Sequence, residues 1–229
     1  MIDLTYIRGF YPPTIANNAV FQKHILKEYV ELLALEWLSR SAYAEKLTFI
    51  GGTNLRLVQG IDRFSEDLDF DCKQLTESDF VAMTDGVIRY LQLQGLQAVA
   101  KDKDGGVLKA YRRNVYFPEL LFSLQLTGHR EERFLMKIEA QDQGIQYERE
   151  MATIQRLGFF YPIAVPSLSV LLSMKLSALL SRQKGRDFYD TLFLWQRTKP
   201  DFDFLYKRCG IGDMSALMMA LQDIVTHTN

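Results

Sequence analysis

Three aspartates at every second position, Asp67, Asp69 and Asp71, alternate with the apolar Leu68 and Phe70. In an extended strand this period sends the carboxylates to one face and the apolar side chains to the other, where they can pack. Like charges on one face repel. The simplest compensation is a divalent cation, which binds carboxylate oxygens and phosphate oxygens alike. Asp67 and Asp69 are the candidate pair, and Asp71, the outermost acid, is expected to be solvated or to stand behind them. Just upstream, Gly51-Gly52-Thr53 closes a short apolar segment. Glycines there let backbone N–H groups approach an anion, and a helix starting at that point adds a favourable dipole, so these three residues are candidates to hold a triphosphate. A plain tight turn would also explain two glycines; the acids downstream favour phosphate chemistry. Glu139, between Ile138 and Ala140, is a candidate third carboxylate for a two-metal site, although a half-exposed strand offers the same pattern.

A second group of charges lies near the C-terminal end. Lys175 interrupts an otherwise apolar helical run, as a snorkelling lysine or as a phosphate ligand. Arg182 lies seven residues further on and Arg186 eleven, which makes one cationic stripe if the helix continues through Gly185. Asp187 and Asp190 follow, placed to cap the next helix or to pair with Arg186. Other chemistries have less support. His24, His129 and His227 share no spacing that makes a triad or a metal cage, and no serine sits in a GxSxG elbow. Cys72 and Cys209 are far apart, without CxxC spacing, and read as two packed thiols.

The elements that must position these residues follow from periodicity. Residues 14–40 predict one long helix or two short ones, 47–50 a short strand, and 53–60 one or two helical turns closed by Gly60. The acid strand comes next, then a helix over 76–95 opened by Thr76 and Glu77 and ended by Gly95. From 96 to 141 the pattern turns strand-like in four runs, 96–100, 108–117, 120–126 and 133–141. Beyond Pro166 it is mostly helical, with 167–182 the clearest segment and a break at Gly185. The fold class expected is α/β (α+β), a core with a mixed or antiparallel sheet over residues 1–160 followed by a helical region over 161–229.

Apolar residues make up 48% of the 229-residue chain, and no apolar run is long enough to span a bilayer. The N-terminus carries no signal-peptide pattern, so a soluble, cytoplasmic protein without a membrane partner is expected. A net charge of −1 argues against nucleic-acid binding by bulk charge, leaving local basic islands at 101–114, 181–186 and 207–210.

Taken together, "GGTNLRL", "DRFSEDLDF" and "VPSLSVLLSMKLSALLSRQKGRDFYD" resemble the nucleotidyltransferase toxins of the AbiEii/MenT type, within the DNA polymerase β-like superfamily. The glycine turn and the Asp67-Leu68-Asp69-Phe70 strand match the superfamily, while Lys175, Arg182, Arg186, Asp187 and Asp190 match the toxin family's C-terminal signature. Glu139 stands where the wider superfamily often has an aspartate. The resemblance implies Asp67, Asp69 and Glu139 as ligands of Mg²⁺ or Mn²⁺, with Lys175 and Asp187 also in catalysis. It implies Gly51, Gly52, Thr53, Ser65, Lys175, Arg182 and Arg186 as the residues that bind an NTP substrate. The activity implied is transfer of an NMP to an RNA acceptor such as tRNA, in a toxin–antitoxin or phage-defence system with a separate antitoxin protein. Transfer to a protein side chain or a small molecule, or nucleotide binding without turnover, are the alternatives.

Overall fold

The computed structural model describes residues 2–101 and 111–227. Its elements run in chain order as α1 (Leu4–Arg8), α2 (Pro13–Ala16), α3 (Ala19–Arg40), β1 (Leu47–Ile50), α4 (Gly51–Leu57), β2 (Asp67–Cys72), α5 (Glu77–Leu93), β3 (Val99–Ala100), β4 (Tyr111–Tyr116), α6 (Leu120–Ser123), β5 (Leu135–Gln141), β6 (Arg149–Arg156), β7 (Phe159–Pro166), α7 (Leu168–Arg182), α8 (Gly185–Trp195), α9 (Phe202–Cys209) and α10 (Met214–His227). Two compact units result, residues 1–142 with 151–164, and residues 143–150 with 165–229.

The first unit holds a five-stranded mixed sheet in the order β1-β2-β5-β4-β3. β2 runs antiparallel to β1 and parallel to β5, and β4 runs antiparallel to β5. The α/β class and mixed sheet expected from the sequence are found. Alternation does its work here: Leu68, Phe70, Met136, Ile138 and Ala140 are buried, while Asp67, Asp69, Lys137 and Glu139 on the intervening positions are only partly covered. The helices α3 and α5 pack on each other and on strands β5 and β4. Residues 14–40 form two helices, the short α2 and the 22-residue α3, whose entry is capped by the Asn18 side chain. Thr76 caps α5 in a reciprocal box whose acidic partner is Asp79, three residues on, rather than the adjacent Glu77.

One expected strand is a helix. The pattern over residues 120–126 predicts an extended run, yet Leu120–Ser123 form α6, entered through Glu119 at φ 55°. The run is leucine-rich with no β-branched residue, and only Leu121 of the helix is buried, so strand-like alternation is not satisfied. Residues 102–110, including Lys103, Lys109 and the start of the expected strand 108–117, lie outside the described residues.

In the second unit α7 packs against α8, α9 and α10. Ile145, Val170 and Phe204 form a small buried cluster, with Tyr147 and Met174 packed on it. Ser173 ties α7 to the start of α9: its hydroxyl accepts from the Asp201 N–H at 2.8 Å. Among the described residues, no helix is long and apolar enough to cross a membrane.

Candidate active site

The glycine turn is shaped around a carboxylate. Gly51 adopts φ +82°, a backbone that side-chain-bearing residues rarely take, and a Cβ placed on it would lie 2.2 Å from the Asp69 Oδ2. The register explains the closeness, because Ile50, the residue before the turn, pairs with Asp69 across β1 and β2. A Cβ on Gly52 would lie 2.6 Å from the Ser65 Oγ and 3.0 Å from an Arg63 guanidinium nitrogen. Bare backbone, a hydroxyl and a guanidinium thus meet at one point, a donor-rich arrangement suited to phosphate oxygens.

Thr53 has a structural partner for its hydroxyl. Its side chain is buried, and its hydroxyl donates to the Asp67 carbonyl at 2.6 Å, so it fastens α4 to the first residue of β2. Asn54 ties α4 to β1 in the same way, donating to the Phe49 carbonyl at 2.7 Å. Behind the turn, the buried Glu28 of α3 accepts from Arg56 of α4 at 2.7 Å and from the Tyr11 hydroxyl at 2.7 Å, and Arg156 of β6 joins it. Arg56 also lies over the Phe64 ring, 4.5 Å from its centroid. Four segments distant in sequence therefore hold the turn in place.

Register likewise assembles the charged face. Asp67 sits beside Lys137 and Asp69 beside Glu139 on the parallel pair β2 and β5, and Arg112 of β4 sits opposite Glu139. The Lys137 ammonium lies 2.9 Å from Asp67 Oδ2 and 3.4 Å from Glu139 Oε1, and Arg112 bonds the same Glu139 oxygen. Partial burial alone would pull the Lys137 pKa down, but the hydrogen bond and charge of Asp67, with Glu139 behind, leave it raised. Sequence reasoning missed Lys137 and Arg63. The signal was present, since Lys137 lies two residues before Glu139 in an alternating strand and Arg63 lies within the stretch that carries the acids.

The charged residues around the acids have partners of their own. Glu139 is engaged by two cations, Lys137 and Arg112, and among the described residues no three His, Cys, Asp or Glu side chains are grouped to hold a metal together. Of the two expectations for Asp71, solvation is not what is found: it is buried, with Lys73 at 3.6 Å from its carboxylate. Arg112 and Arg113 do not act as one basic island, because strand alternation sends Arg112 to Glu139 and Arg113 to Asp85 of α5.

A divalent cation still fits the site. Mg²⁺ commonly takes one or two carboxylates and completes its shell with water and substrate phosphate, so Asp67 and Asp69 suffice. The Lys137 ammonium against Asp67 already shows that this face is arranged to receive positive charge.

In the second unit the expected cationic stripe is broken up. α7 ends in Gln183 at φ 51°, so the interruption falls before Gly185, which is the first residue of α8. Lys175 is buried and paired at 2.9 Å with Asp190, itself buried. Arg182 makes two hydrogen bonds to Asp187, at 2.9 and 2.6 Å, and Asp187 caps α8 by accepting from the Lys184 N–H. Asp187 thus serves as a cap, as one sequence reading held, but its partner is Arg182 rather than Arg186. Burial would raise its pKa; Arg182 and the Lys184 N–H together hold it below the usual carboxylate value. Arg186 is exposed. Cys72 is buried beside Asp71, and burial followed by that charge pushes its thiol up to about 11, which removes it as a nucleophile.

A glycine turn shaped around a strand of paired acids, in a mixed sheet backed by helices, is the framework of a nucleotidyltransferase. The family described as "Nucleotidyl transferase AbiEii toxin, Type IV TA system" matches residues 32–210, and the chain belongs to it. It is a nucleotidyltransferase toxin of a type IV toxin–antitoxin system, which implies an NTP substrate and an antitoxin partner. Solved structures share the fold at low identity. MenT4, a nucleotidyltransferase toxin from Mycobacterium tuberculosis, superposes with a TM-score of 0.66 at 18% identity, over 98% of this chain and 72% of its own. JHP933 from Helicobacter pylori gives 0.56 at 20% identity, covering 87% and 88%. An antigenic nucleotidyltransferase-like protein from Paracoccidioides brasiliensis gives 0.50 at 17%, covering 89% and 88%. Comparison with curated protein sequences gives no match.

Proposed function

We propose that the chain transfers an NMP from an NTP to a hydroxyl of an RNA acceptor, tRNA in the first instance, with Mg²⁺ or Mn²⁺ held by Asp67 and Asp69. In this reaction the acceptor hydroxyl gives up its proton to water and its oxygen bonds to the α-phosphorus, the bond between that phosphorus and the bridging oxygen breaks, and pyrophosphate leaves with the bridging oxygen. The bound cation supplies charge neutralisation at the phosphates and orients them for in-line attack. Gly51, Gly52, Ser65 and Arg63 receive the phosphate oxygens, Thr53 holds the turn, and Glu139 positions Lys137 and Arg112. For Lys175, Arg182, Arg186 and Asp187, the family resemblance supports a part in nucleotide handling.

The observation that carries this reading is the Gly51 backbone at φ +82°, where a Cβ would occupy the place of the Asp69 carboxylate. The absent side chain lets the Asp69 carboxylate lie directly against the turn's backbone, so that the paired acids and the glycine turn adjoin. RNA as acceptor and a role in phage defence rest on the family resemblance. The test is incubation of the protein with each labelled NTP, Mg²⁺ and total RNA or total protein, beside Asp67→Asn. Label in RNA that disappears in the variant is the expected result. Label in protein or a small molecule would replace the acceptor, and label unaffected by Asp67→Asn would overturn the site.

A further inference from the structure

The charged face of the first unit is already internally paired. Across three strands, carboxylates and cations alternate as Asp67, Lys137, Glu139 and Arg112, with Lys137 2.9 Å from Asp67 and 3.4 Å from Glu139. Asp69, beside Glu139 in the register, adds a third carboxylate to this face. A divalent cation arriving alone at Asp67 has to compete with an ammonium that is covalently part of the protein, and the displaced lysine keeps only Glu139, an oxygen of which it already shares with Arg112. A triphosphate changes both conditions, because it brings negative charge to the face and gives Lys137 phosphate oxygens to bind. The Asp67–Lys137 pair is also placed to exchange: the two side chains are 35% and 30% exposed, so neither is locked by packing.

We propose that Lys137 is a positioning residue that serves as the resting counter-ion of Asp67, making divalent-cation binding depend on nucleotide and then turning its ammonium to the triphosphate. This rests on the reading above that Asp67 and Asp69 hold the metal. Metal and nucleotide therefore bind cooperatively, and the protein without nucleotide holds the metal weakly. By linkage, the metal strengthens nucleotide binding by the same factor.

The test is a Mn²⁺ titration of the full chain, read by the electron paramagnetic resonance signal of free Mn²⁺, with and without a mixture of the four α,β-methylene NTP analogues. Wild type is compared with Lys137→Met, Lys137→Gln, Lys137→Arg and Asp67→Asn. Met and Gln keep much of the stem's packing without the charge, and two such variants guard against loss of fold in either. Both are expected to bind Mn²⁺ alone about three- to tenfold more tightly than wild type, the scale of a partly exposed ion pair. In both, the tightening caused by the analogues should shrink. Lys137→Arg should restore wild-type behaviour, and Asp67→Asn should abolish binding. If the neutral variants match wild type with and without analogue while Asp67→Asn loses binding, the role of Lys137 is overturned and the metal reading stands. If Asp67→Asn binds Mn²⁺ as wild type does, or if none of the proteins binds it even with analogue, the metal reading falls and this inference falls with it.

Discussion

Two lysine–aspartate pairs in this protein have the same length and opposite settings. Lys137 meets Asp67 at 2.9 Å with both side chains about a third exposed, whereas Lys175 meets Asp190 at 2.9 Å with side chains 9% and 1% exposed. Water screens the first pair and can take over either partner when it opens, so little free energy opposes exchange. The second has given up its hydration, and opening it leaves charge in a dry interior. Distance alone does not distinguish a pair that works by separating from one that holds helices together; burial does.

The largest effect expected from this contrast is on chemistry. Asp67→Asn or Asp69→Asn should lower nucleotide transfer by roughly 10²–10³-fold or more, comparable to deleting a principal transition-state contact, with little change in unfolding temperature. A rate within tenfold of wild type in both variants would remove the pair from the site.

Next comes stability in the second unit. Lys175→Met retains the stem but removes the buried ammonium that faces Asp190, and should cost roughly 3 kcal/mol in urea unfolding, against less than about 1 kcal/mol for Lys137→Met. Equal and small losses in the two variants would break the comparison, and would return Lys175 to the expectation of a phosphate ligand without structural duty.

A third, pH-dependent effect belongs to Glu31. Its carboxylate is buried in α3 with neither oxygen hydrogen-bonded, and burial, followed by the charges of Glu28, Asp67 and Glu66 against the help of Lys27, raises its pKa well above the ordinary 4.5. The folded protein therefore holds this proton more tightly than the unfolded chain does. The stabilisation linked to it is fully present below about pH 4.5 and is lost as pH rises through the folded value. Glu31→Gln removes the titrating group, so its stability relative to wild type should improve as pH rises from 4.5 to neutrality. A difference that stays flat over that range would contradict the assignment.

The smallest effect concerns Arg112 and Arg113. Because the two point to opposite faces of β4, Arg112→Ala should reduce the salt slope of RNA binding by at most about one unit, and Arg113→Ala should leave it unchanged. Equal reductions would mean that both reach the nucleic acid.

By itself the sequence determined the parts whose cause is local. Alternation at 67–71 is enough to make a strand with acids on one face, adjacent glycines are enough to make a turn that side chains would block, and Thr76 ahead of a periodic run is enough to start a helix. Each of those signals lies within a few residues, and the glycine turn and the acid strand are among the motifs that carried the family resemblance. Only the tertiary structure decided which charges meet. Lys137 reaches Asp67 because β2 and β5 pair in parallel in one particular register, and a slip of one residue would send the lysine to the buried face. Lys175 meets Asp190, and Arg182 meets Asp187, because α7 ends at Gln183 and α8 folds back against it, which spacing along a single continuous helix does not foretell. Thr53 became a fastener and Glu139 a partner of two cations for the same reason: a side chain's role is set by the groups brought within hydrogen-bond reach, and those come from strands far away in sequence.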